Sequence, residues 1–295
     1  MHIPDGFLST GVWATLDAVA APAVVSVARR AQREFDESKV PLLGVMGAFV
    51  FAAQMINFPV GIGTTGHLVG GALLAFTLGP AAATIVMTAI VAIQALVFQD
   101  GGILALGANV MNMAVLGVLA AYLPYRFWSG TGWRKAAIFA GGALSVMVSG
   151  IAALSELLIS KVPMTGVTVI VSVGFFVLMA LVEGAITLAV VQALEAIRPG
   201  FVRQPAGGRS FAMGVIGVTA VLLATVGVLF AATAPDPIEK LGHSQRFFST
   251  VFTDYRITLL HNPWLSKATA GLAGLLLIYA ACLAIGRVVA RNRSV

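Results

Sequence analysis

The chain has 295 residues, of which 59% are hydrophobic and only 10% are charged, and its formal net charge is +6. Soluble globular proteins are ~45–50% apolar and ~25% charged, so this composition excludes a soluble enzyme, a disordered chain and a disulfide scaffold, and it predicts a polytopic membrane protein. In such a protein an excess of Lys and Arg marks cytoplasmic loops, so we expect a lipid bilayer around the chain and no nucleic-acid partner.

The apolar runs predict an all-α fold with about nine transmembrane helices, because a spanning helix needs ~20 mostly apolar residues. In chain order the predicted spans are 11–28, 41–58, 67–79, 81–98, 103–123, 136–158, 167–197, 211–232 and 268–288. The third span is short, and the seventh is long enough to tilt. Turn-forming residues separate neighbouring spans, with Gly79-Pro80 before the fourth and residues 99–102 after it.

The spans fall into two predicted modules. Residues 1–197 hold seven spans, and residues 211–295, here called the hairpin module, hold two spans joined by an outer loop at 233–267. Residues 198–210 are polar and basic and contain Gly and Pro, which is typical of a linker.

The basic residues predict the orientation in the cell (inner) membrane. Loops 29–40, 124–135 and 198–209 and the C-terminal end hold thirteen of the eighteen Lys and Arg residues. The positive-inside rule therefore places the C-terminus and the linker in the cytoplasm and the N-terminus outside. The first residues lack the basic and small-residue pattern of a secretory signal, so we expect the mature chain to begin with Met1-His2, exposed outside.

A free amino terminus followed by histidine is a preformed metal chelator. The Met1 amine and the His2 amide nitrogen close a five-membered ring on a metal ion, and the amide nitrogen and His2 Nδ1 close a six-membered ring. These three nitrogens lie in one plane, and a fourth would complete a square. Square-planar nitrogen coordination favours Ni(II) or Cu(II).

His67 is the candidate for the fourth nitrogen. It follows the Gly- and Thr-rich residues 61–66 at the outer end of the third span, on the same side as the N-terminus. The alternative is that His2 is a frayed terminal residue and His67 a hydrogen-bonded interfacial one. His243 and His261 lie in the outer loop of the hairpin module, where they either capture metal or are merely solvated.

Other polar residues near this end of the spans have two interpretations each. Asn109 and Asn112 are three apart in the fifth span and share a helix face. They either hydrogen-bond the metal ligands from behind or hold helices together. Asp100, at the outer end of the span, either attracts a cation or caps the helix.

A ridge of small residues runs along the second span. Gly44, Ala48 and Ala52 recur at four-residue spacing, which lets helices approach closely. The ridge serves either packing within the chain or docking of a membrane partner.

The sequence offers few residues that could couple transport to an energy source, whether ATP or a proton gradient. It has no Gly-x-x-x-x-Gly-Lys-Ser/Thr loop, so we expect no ATPase activity of its own. Few acids fall within spans, among them Asp17, Glu156 and Glu183, which is thin evidence for a proton-coupled pump. We expect Asp17 and Glu183 to be paired or, for Glu183, to face another subunit.

Several segments resemble the CbiM/NikM family, the substrate-binding membrane subunits of energy-coupling-factor transporters for cobalt and nickel. They are residues 1–9 (MHIPDGFLS), 63–68 (GTTGHL), 98–102 (FQDGG), 105–109 (ALGAN) and 112–114 (NMA). The resemblance covers about residues 1–197. Residues 234–240 (APDPIEK) resemble the PDGLE-type motif of the small N component fused behind the M component, with Pro237-Ile238 where that motif has Gly-Leu.

The resemblance implies a function and a set of partners. It implies a seven-span M part in which the Met1 amine, the His2 amide and imidazole, and His67 bind the metal, with Thr65 of the GTTGH segment as a pocket candidate. It implies no permanent cofactor, Ni(II) or Co(II) as the transported ligand, a transmembrane coupling (Q or T) component and two cytoplasmic ATPase subunits. The ridge at Gly44, Ala48 and Ala52 would dock the coupling component.

We therefore expect the substrate-capture subunit of an ATP-driven importer for Ni(II) or Co(II), with a slight preference for nickel. Two other classes stay open. A secondary carrier or channel would transport metal without an ATPase and would be blocked by changing Glu183 or Asp17. A membrane metalloenzyme would use the metal as a Lewis acid, which requires an open coordination position and a nearby base.

Overall fold

The computed structural model describes residues 1–34, 37–61, 64–202, 211–232, 234–242 and 244–291. Within these ranges nine helices match the nine predicted spans in order. They are α1 Thr10–Glu34, α2 Val40–Gln54, α3 Gly71–Leu78, α4 Pro80–Phe98, α5 Leu106–Trp128, α6 Arg134–Ile159, α7 Gly166–Ile197, α8 Phe211–Thr225 and α9 Pro263–Arg291. Seven of them are long and apolar enough to cross a membrane when α8 is taken together with the 3-10 turn that extends it to Leu229. The all-α polytopic membrane fold is therefore confirmed for the part of the chain described.

The third predicted span, 67–79, is helical only from Gly71 to Leu78. Helix α3 has eight residues, which rise ~12 Å and cover less than half of a ~30 Å hydrocarbon core. Residues 67–70 before it are neither helix nor strand. Irregular backbone at membrane depth persists only where protein groups satisfy its N–H and C=O groups, so the partners of this stretch matter.

Side chains from two other helices supply those partners. Glu183 on α7 accepts hydrogen bonds from the backbone N–H groups of Val69 and Gly70, both at 2.8 Å. Gln54 on α2 donates to the Val69 carbonyl at 2.7 Å. The buried carboxylate of Glu183 thus pairs within the chain and fixes the backbone just after His67.

Two helices widen into π-helical turns, α4 at its C-terminal end and α5 soon after its start. Helix α4 is π-helical over Gln94–Phe98, and α5 is π-helical over Val110–Leu116. Such turns are rare and occur mostly at functional sites. The first turns the side chain of Gln94 into the protein, where it is fully buried, and the second begins directly after Asn109.

A short β-hairpin joins α2 to the irregular stretch. Strand β1, Phe58–Gly61, pairs antiparallel with β2, Thr64–Gly66. Thr65 on β2 donates from its backbone N–H to the Pro235 carbonyl at 3.1 Å and from its hydroxyl to the Ala234 carbonyl at 2.5 Å. The outer loop of the hairpin module therefore lies against this β-hairpin.

The two helices of the hairpin module pack on α2. A side chain added at Gly44 would meet the ring of Tyr279 on α9, and one added at Gly47 would meet Cys282. Ala48 and Ala52 are buried as well. The small-residue ridge is thus used for packing within the chain, and a docking partner has no access to it in this structure.

Asp17 and Glu156 also have partners within the chain. Asp17 on α1 accepts a hydrogen bond from the Gly107 N–H at 2.6 Å, and Glu156 on α6 accepts one from the Asn112 amide at 2.8 Å. Both contacts tie neighbouring helices together.

Candidate metal centre

The first residues fold back into the protein and are held by their backbone. Asn109 accepts a hydrogen bond from the Ile3 N–H at 2.7 Å and donates to the Ile3 carbonyl at 3.0 Å, and Gly102 N–H donates to the same carbonyl at 2.8 Å. Met1, His2 and Ile3 are all buried. The amide of Asn109, at the start of the π-helical turn, therefore fixes the residue directly after His2.

Asp5 provides a second anchor for the same segment. Its carboxylate accepts hydrogen bonds from the N–H groups of Ile103 and Leu104, at 2.9 and 2.8 Å. Its carbonyl accepts another from Gln245 of the hairpin module at 2.8 Å. The N-terminal segment is thus held between the loop after α4 and the outer loop of the hairpin module.

The predicted nitrogen donors converge. The Met1 amine lies 2.9 Å from His67 Nε2, and the rings of His2 and His67 stack with centroids 5.6 Å apart. Because a carbonyl only accepts, the 2.9 Å contact between His67 Nδ1 and the Leu68 carbonyl places the proton of a neutral imidazole on Nδ1 and leaves the Nε2 lone pair facing the amine. Both ring nitrogens of His2 are buried without a hydrogen-bond partner.

Both imidazoles favour the neutral form that metals bind. Burial, together with the positive charge of the N-terminal amine, lowers the pKa of His67 to about 3. Burial lowers the pKa of His2 as well, although the nearby carboxylate of Asp100 opposes this shift. A metal binds neutral imidazole, so these two rings would not have to lose a proton before they bind one.

The amine has a second partner from the hairpin module. Asp236 Oδ2 lies 2.5 Å from the Met1 nitrogen, and Asp236 Oδ1 accepts hydrogen bonds from Ile238 N and Glu239 N. Burial alone would raise the pKa of Asp236, but the amine and these hydrogen bonds hold it below its ordinary value. A carboxylate of one module is thus ion-paired with the terminus of the other.

Asp100 lies beside the His2 ring. Its Oδ2 atom is 3.9 Å from His2 Nε2 and accepts a 2.6 Å hydrogen bond from the hydroxyl of Tyr255. Burial would raise the pKa of Asp100, but His2, His67 and this hydroxyl lower it. Asp100 therefore belongs to the surroundings of the donor nitrogens.

The close approach of Gly101 to His2 requires a glycine. Its φ is +98°, and a Cβ there would lie 3.2 Å from His2 Cβ and 3.3 Å from His2 Nδ1. Any other side chain would strain the backbone and displace the imidazole.

The structure separates the other candidates. Asn109 reaches the N-terminal segment, whereas Asn112 is bonded to Glu156 on α6, away from the donor nitrogens. Thr65 is bonded to the loop of the hairpin module, not to the donors. His261 is exposed, and His243 lies outside the described residues.

Side chains alone do not build a metal site here. Among the residues that the structure describes, no group of three or more His, Cys, Asp or Glu side chains has the arrangement of a metal site. A metal bound at the terminus would therefore need a further donor, such as the amine or the amide nitrogen of the first two residues.

Sequence reasoning missed the residues that the hairpin module contributes. Asp236 was visible only as part of the segment 234–240, and nothing in the spacing linked it to Met1. Gln54 and Gln94 carried a clearer signal, because each is a polar side chain inside a predicted span, where it must find a partner. Tyr255 gave no signal in an outer loop.

A cavity of about 990 Å³ borders the site at His67. Residues of both modules line it, among them Asp100, Asp236, Glu239 and Tyr255. The hairpin module therefore forms part of the wall beside His67.

Comparison with known proteins gives consistent matches. The CbiM family model, described as the cobalt uptake substrate-specific transmembrane region, matches residues 2–201. The chain is 36% identical over 299 residues to the putative fused nickel transport protein NikMN of Archaeoglobus fulgidus, covering 97% of this chain and 98% of that protein. It is 41% identical over 203 residues to a putative metal transport protein of Haloquadratum walsbyi, covering 68% of this chain and 93% of that one.

Solved structures agree with these matches. The crystal structure of a truncated transition metal transporter superposes with a TM-score of 0.59 at 36% identity, covering 66% of this chain and 99% of that one.

Proposed function

The chain belongs to the CbiM family of cobalt uptake substrate-specific transmembrane regions, and from that premise we propose that it captures Ni(II) or Co(II) for an ATP-driven energy-coupling-factor importer. One observation carries the proposal: the Met1 amine, His2 and His67 converge in a buried site. The names of similar proteins, which specify nickel or cobalt transport, support the same substrates.

The proposed site uses four nitrogens. The Met1 amine, the His2 amide nitrogen and His2 Nδ1 form two fused chelate rings, and His67 Nε2 completes the square. Binding removes protons from the amine and the amide, so it releases protons to solvent. A planar set of four nitrogens favours Ni(II) over Co(II) by geometry, and we retain the slight preference for nickel.

The energy for uptake comes from partners in this proposal. The chain carries no phosphate-binding loop motif, so a transmembrane coupling component and two cytoplasmic ATPases would drive the exposure of the metal to the cytoplasm. The distribution of Lys and Arg supports an outer N-terminus and a cytoplasmic C-terminus. In this arrangement residues 1–197 form the metal-binding module, 198–210 the linker and 211–295 the hairpin module.

The carrier alternative depends on Asp17 or Glu183 moving a proton or an ion. Each of these carboxylates accepts hydrogen bonds from backbone N–H groups that would otherwise lack a partner. This gives both acids a structural role and supports the importer over the carrier.

The site is tested by metal titration of purified protein with a native Met1 terminus. We expect one equivalent of Ni(II) to bind with the absorption of a square-planar nitrogen complex. A variant with four additional residues before Met1 places the amine too far from the His2 amide to close the five-membered ring, and we expect its affinity to fall on the order of 100-fold. A single added residue is avoided, because a histidine third from a free amine forms a planar nitrogen chelate of its own. A variant with four additional residues after Val295 is the matched control. Equal binding by the two extended variants would exclude the terminal chelate.

The energy source is tested by uptake in reconstituted vesicles. We expect Ni(II) to accumulate only when the coupling component, the ATPases and ATP are present with the chain. Uphill uptake by the chain alone would refute the importer and favour the carrier.

A further inference from the structure

A chain of hydrogen bonds joins the two histidine-bearing segments, and one of its links comes from the hairpin module. The Tyr255 hydroxyl donates to Asp100 Oδ2 at 2.6 Å and accepts a hydrogen bond from Gln94 Nε2 at 3.1 Å. Gln94 also donates to Gln54 Oε1 at 2.8 Å, and Gln54 donates to the Val69 carbonyl at 2.7 Å. The chain therefore begins beside His2 and ends two residues after His67.

The ring of Tyr255 is held in a cluster of aromatic side chains. It stacks on Phe98 with centroids 4.8 Å apart and lies against Phe51 at 6.0 Å. These contacts aim the hydroxyl at the end of α4, where Asp100 and the π-helical turn meet.

The backbone around Tyr255 is built to present this side chain. Asp254 and Tyr255 have φ values of +54° and +55°, a left-handed conformation that is rare for one non-glycine residue and rarer for two in succession. Such strain persists only where surrounding contacts impose it, and it concentrates at functional sites.

Contacts to the end of α4 impose it here. Thr253 donates to the Gln99 side-chain carbonyl at 2.8 Å, and Thr250 donates to the Val97 carbonyl. The Gln99 amide donates to the Phe248 carbonyl in return. The loop of the hairpin module is thus locked onto the turn that carries Asp100.

Asp100 is placed where it can select the orientation of His2. The planar chelate uses His2 Nδ1, so Nε2 must carry the proton and point away from the metal. Asp100 Oδ2 faces Nε2 at 3.9 Å, close enough for a small shift or one bridging water to complete a hydrogen bond. A carboxylate in this position fixes both the tautomer and the ring orientation of a metal-binding histidine.

We infer that Tyr255 is a positioning residue of the metal site, which holds Asp100 against His2 and links that contact to the segment of His67. The inference rests on the proposed function, because it needs a metal at the terminal nitrogens. It assigns the hairpin module a defined contribution, which is to fix the relative geometry of the two histidines.

The test removes one oxygen atom. Tyr255→Phe keeps the aromatic stack and deletes the hydroxyl, and Tyr279→Phe on α9 is the matched control. In the full-length chain with native Met1, we expect Tyr255→Phe to weaken Ni(II) binding ~10–100-fold, mainly through faster dissociation, and to shift the absorption band of the complex. We expect Tyr279→Phe to match the unmodified protein. Unchanged affinity and spectrum in Tyr255→Phe would overturn the inference.

A double-mutant cycle separates positioning from general support of the fold. If the hydroxyl acts through Asp100, Tyr255→Phe adds little to the loss already caused by Asp100→Asn. Losses that multiply in the double variant would overturn the inference, even if each single variant binds metal weakly. Thermal unfolding of the metal-free variants shows that each is folded.

The two proposals fail in different ways. If the unmodified protein binds no Ni(II), or binds it equally well with four residues added before Met1, the proposed terminal site fails and the inference with it. If the unmodified protein binds Ni(II) as proposed and Tyr255→Phe is indistinguishable from it, only the inference fails.

Discussion

Gly101 shows how closely the terminal segment is fitted. Alanine at this position would have to adopt a φ of +98°, and its Cβ would lie 3.2 Å from His2 Cβ. We therefore expect Gly101→Ala to weaken Ni(II) binding at least ~10-fold and to lower the free energy of unfolding by about 1 kcal/mol. Gly79 is the matched control, since it has a φ of +83° and no neighbour within 4 Å of an added Cβ. Gly79→Ala also places an alanine at positive φ, without a ligand beside it. Equal loss of Ni(II) affinity in the two variants, measured by competition titration, would show that strain alone is responsible.

The two asparagines on α5 provide a second test at the scale of single residues. Asn109→Ala leaves the N–H and carbonyl of Ile3 without their side-chain partner, which costs ~1–3 kcal/mol and releases the segment that carries His2. We expect its Ni(II) affinity to fall with its melting temperature. Asn112→Ala breaks the contact with Glu156, so we expect a similar loss of stability with unchanged Ni(II) affinity. Calorimetric titration and thermal unfolding of both variants give the comparison.

At the scale of single residues, the sequence predicted that the two histidines and the amino terminus come together. It did not predict which residues of the hairpin module reach them. Met1, His2 and His67 have distinctive chemistry, and the orientation rule placed them on one side. The structure brings these three together, while their role as metal ligands stays a prediction. Asp236 and Tyr255 reach the site only through the packing of a distant loop, which no local pattern encodes.

Among the elements, the short helix α3 depends on a carboxylate from α7. Glu183→Gln replaces one acceptor oxygen by an NH₂ group that faces a backbone donor, so one hydrogen bond to Val69 or Gly70 is lost. We expect the free energy of unfolding to fall by ~1–3 kcal/mol and Ni(II) affinity to fall because His67 is less firmly held. Thermal unfolding and titration measure both effects. Glu156→Gln is the control, because its remaining carbonyl still accepts from Asn112.

The carrier alternative predicts a different outcome for Glu183→Gln. If this carboxylate moved a proton or an ion, its removal would stop transport while stability and metal affinity stayed unchanged. That combination would contradict the structural role assigned to Glu183.

The sequence predicted the elements well where periodicity and length suffice. All nine spans have a helix, yet α3 covers only part of residues 67–79, because Gly70 and the residues before it leave the helical conformation to meet Glu183 and Gln54. The β-hairpin has strands of four and three residues, too short for an alternating pattern to be recognised. The π-helical turns depend on packing and leave no periodic signal in the sequence.

For the whole molecule, buried histidines make stability depend on pH. The pKa of His67 falls from 6.5 in the unfolded chain to about 3 in the folded protein, and that of His2 is lowered as well. Between these two pKa values the unfolded chain binds more protons than the folded protein. The stability of the metal-free protein should therefore fall as the pH drops from 6.5 towards 3. We expect His67→Phe to flatten this dependence in melting curves recorded across that range. An unchanged slope in the variant would show that His67 is not the group responsible.

The loop of the hairpin module also bears on how such a site is assembled in a cell. Asp236 and Tyr255 belong to the same polypeptide as Met1 and His2, so they meet the site at an effective concentration on the order of millimolar, set by the tether rather than by expression. A loop supplied by a separate subunit would bind to a degree set by the concentration of that subunit. If too little of it were produced, a fraction of the sites would stay incomplete. Fusion fixes the stoichiometry at one to one, which makes the completeness of each site independent of gene dosage.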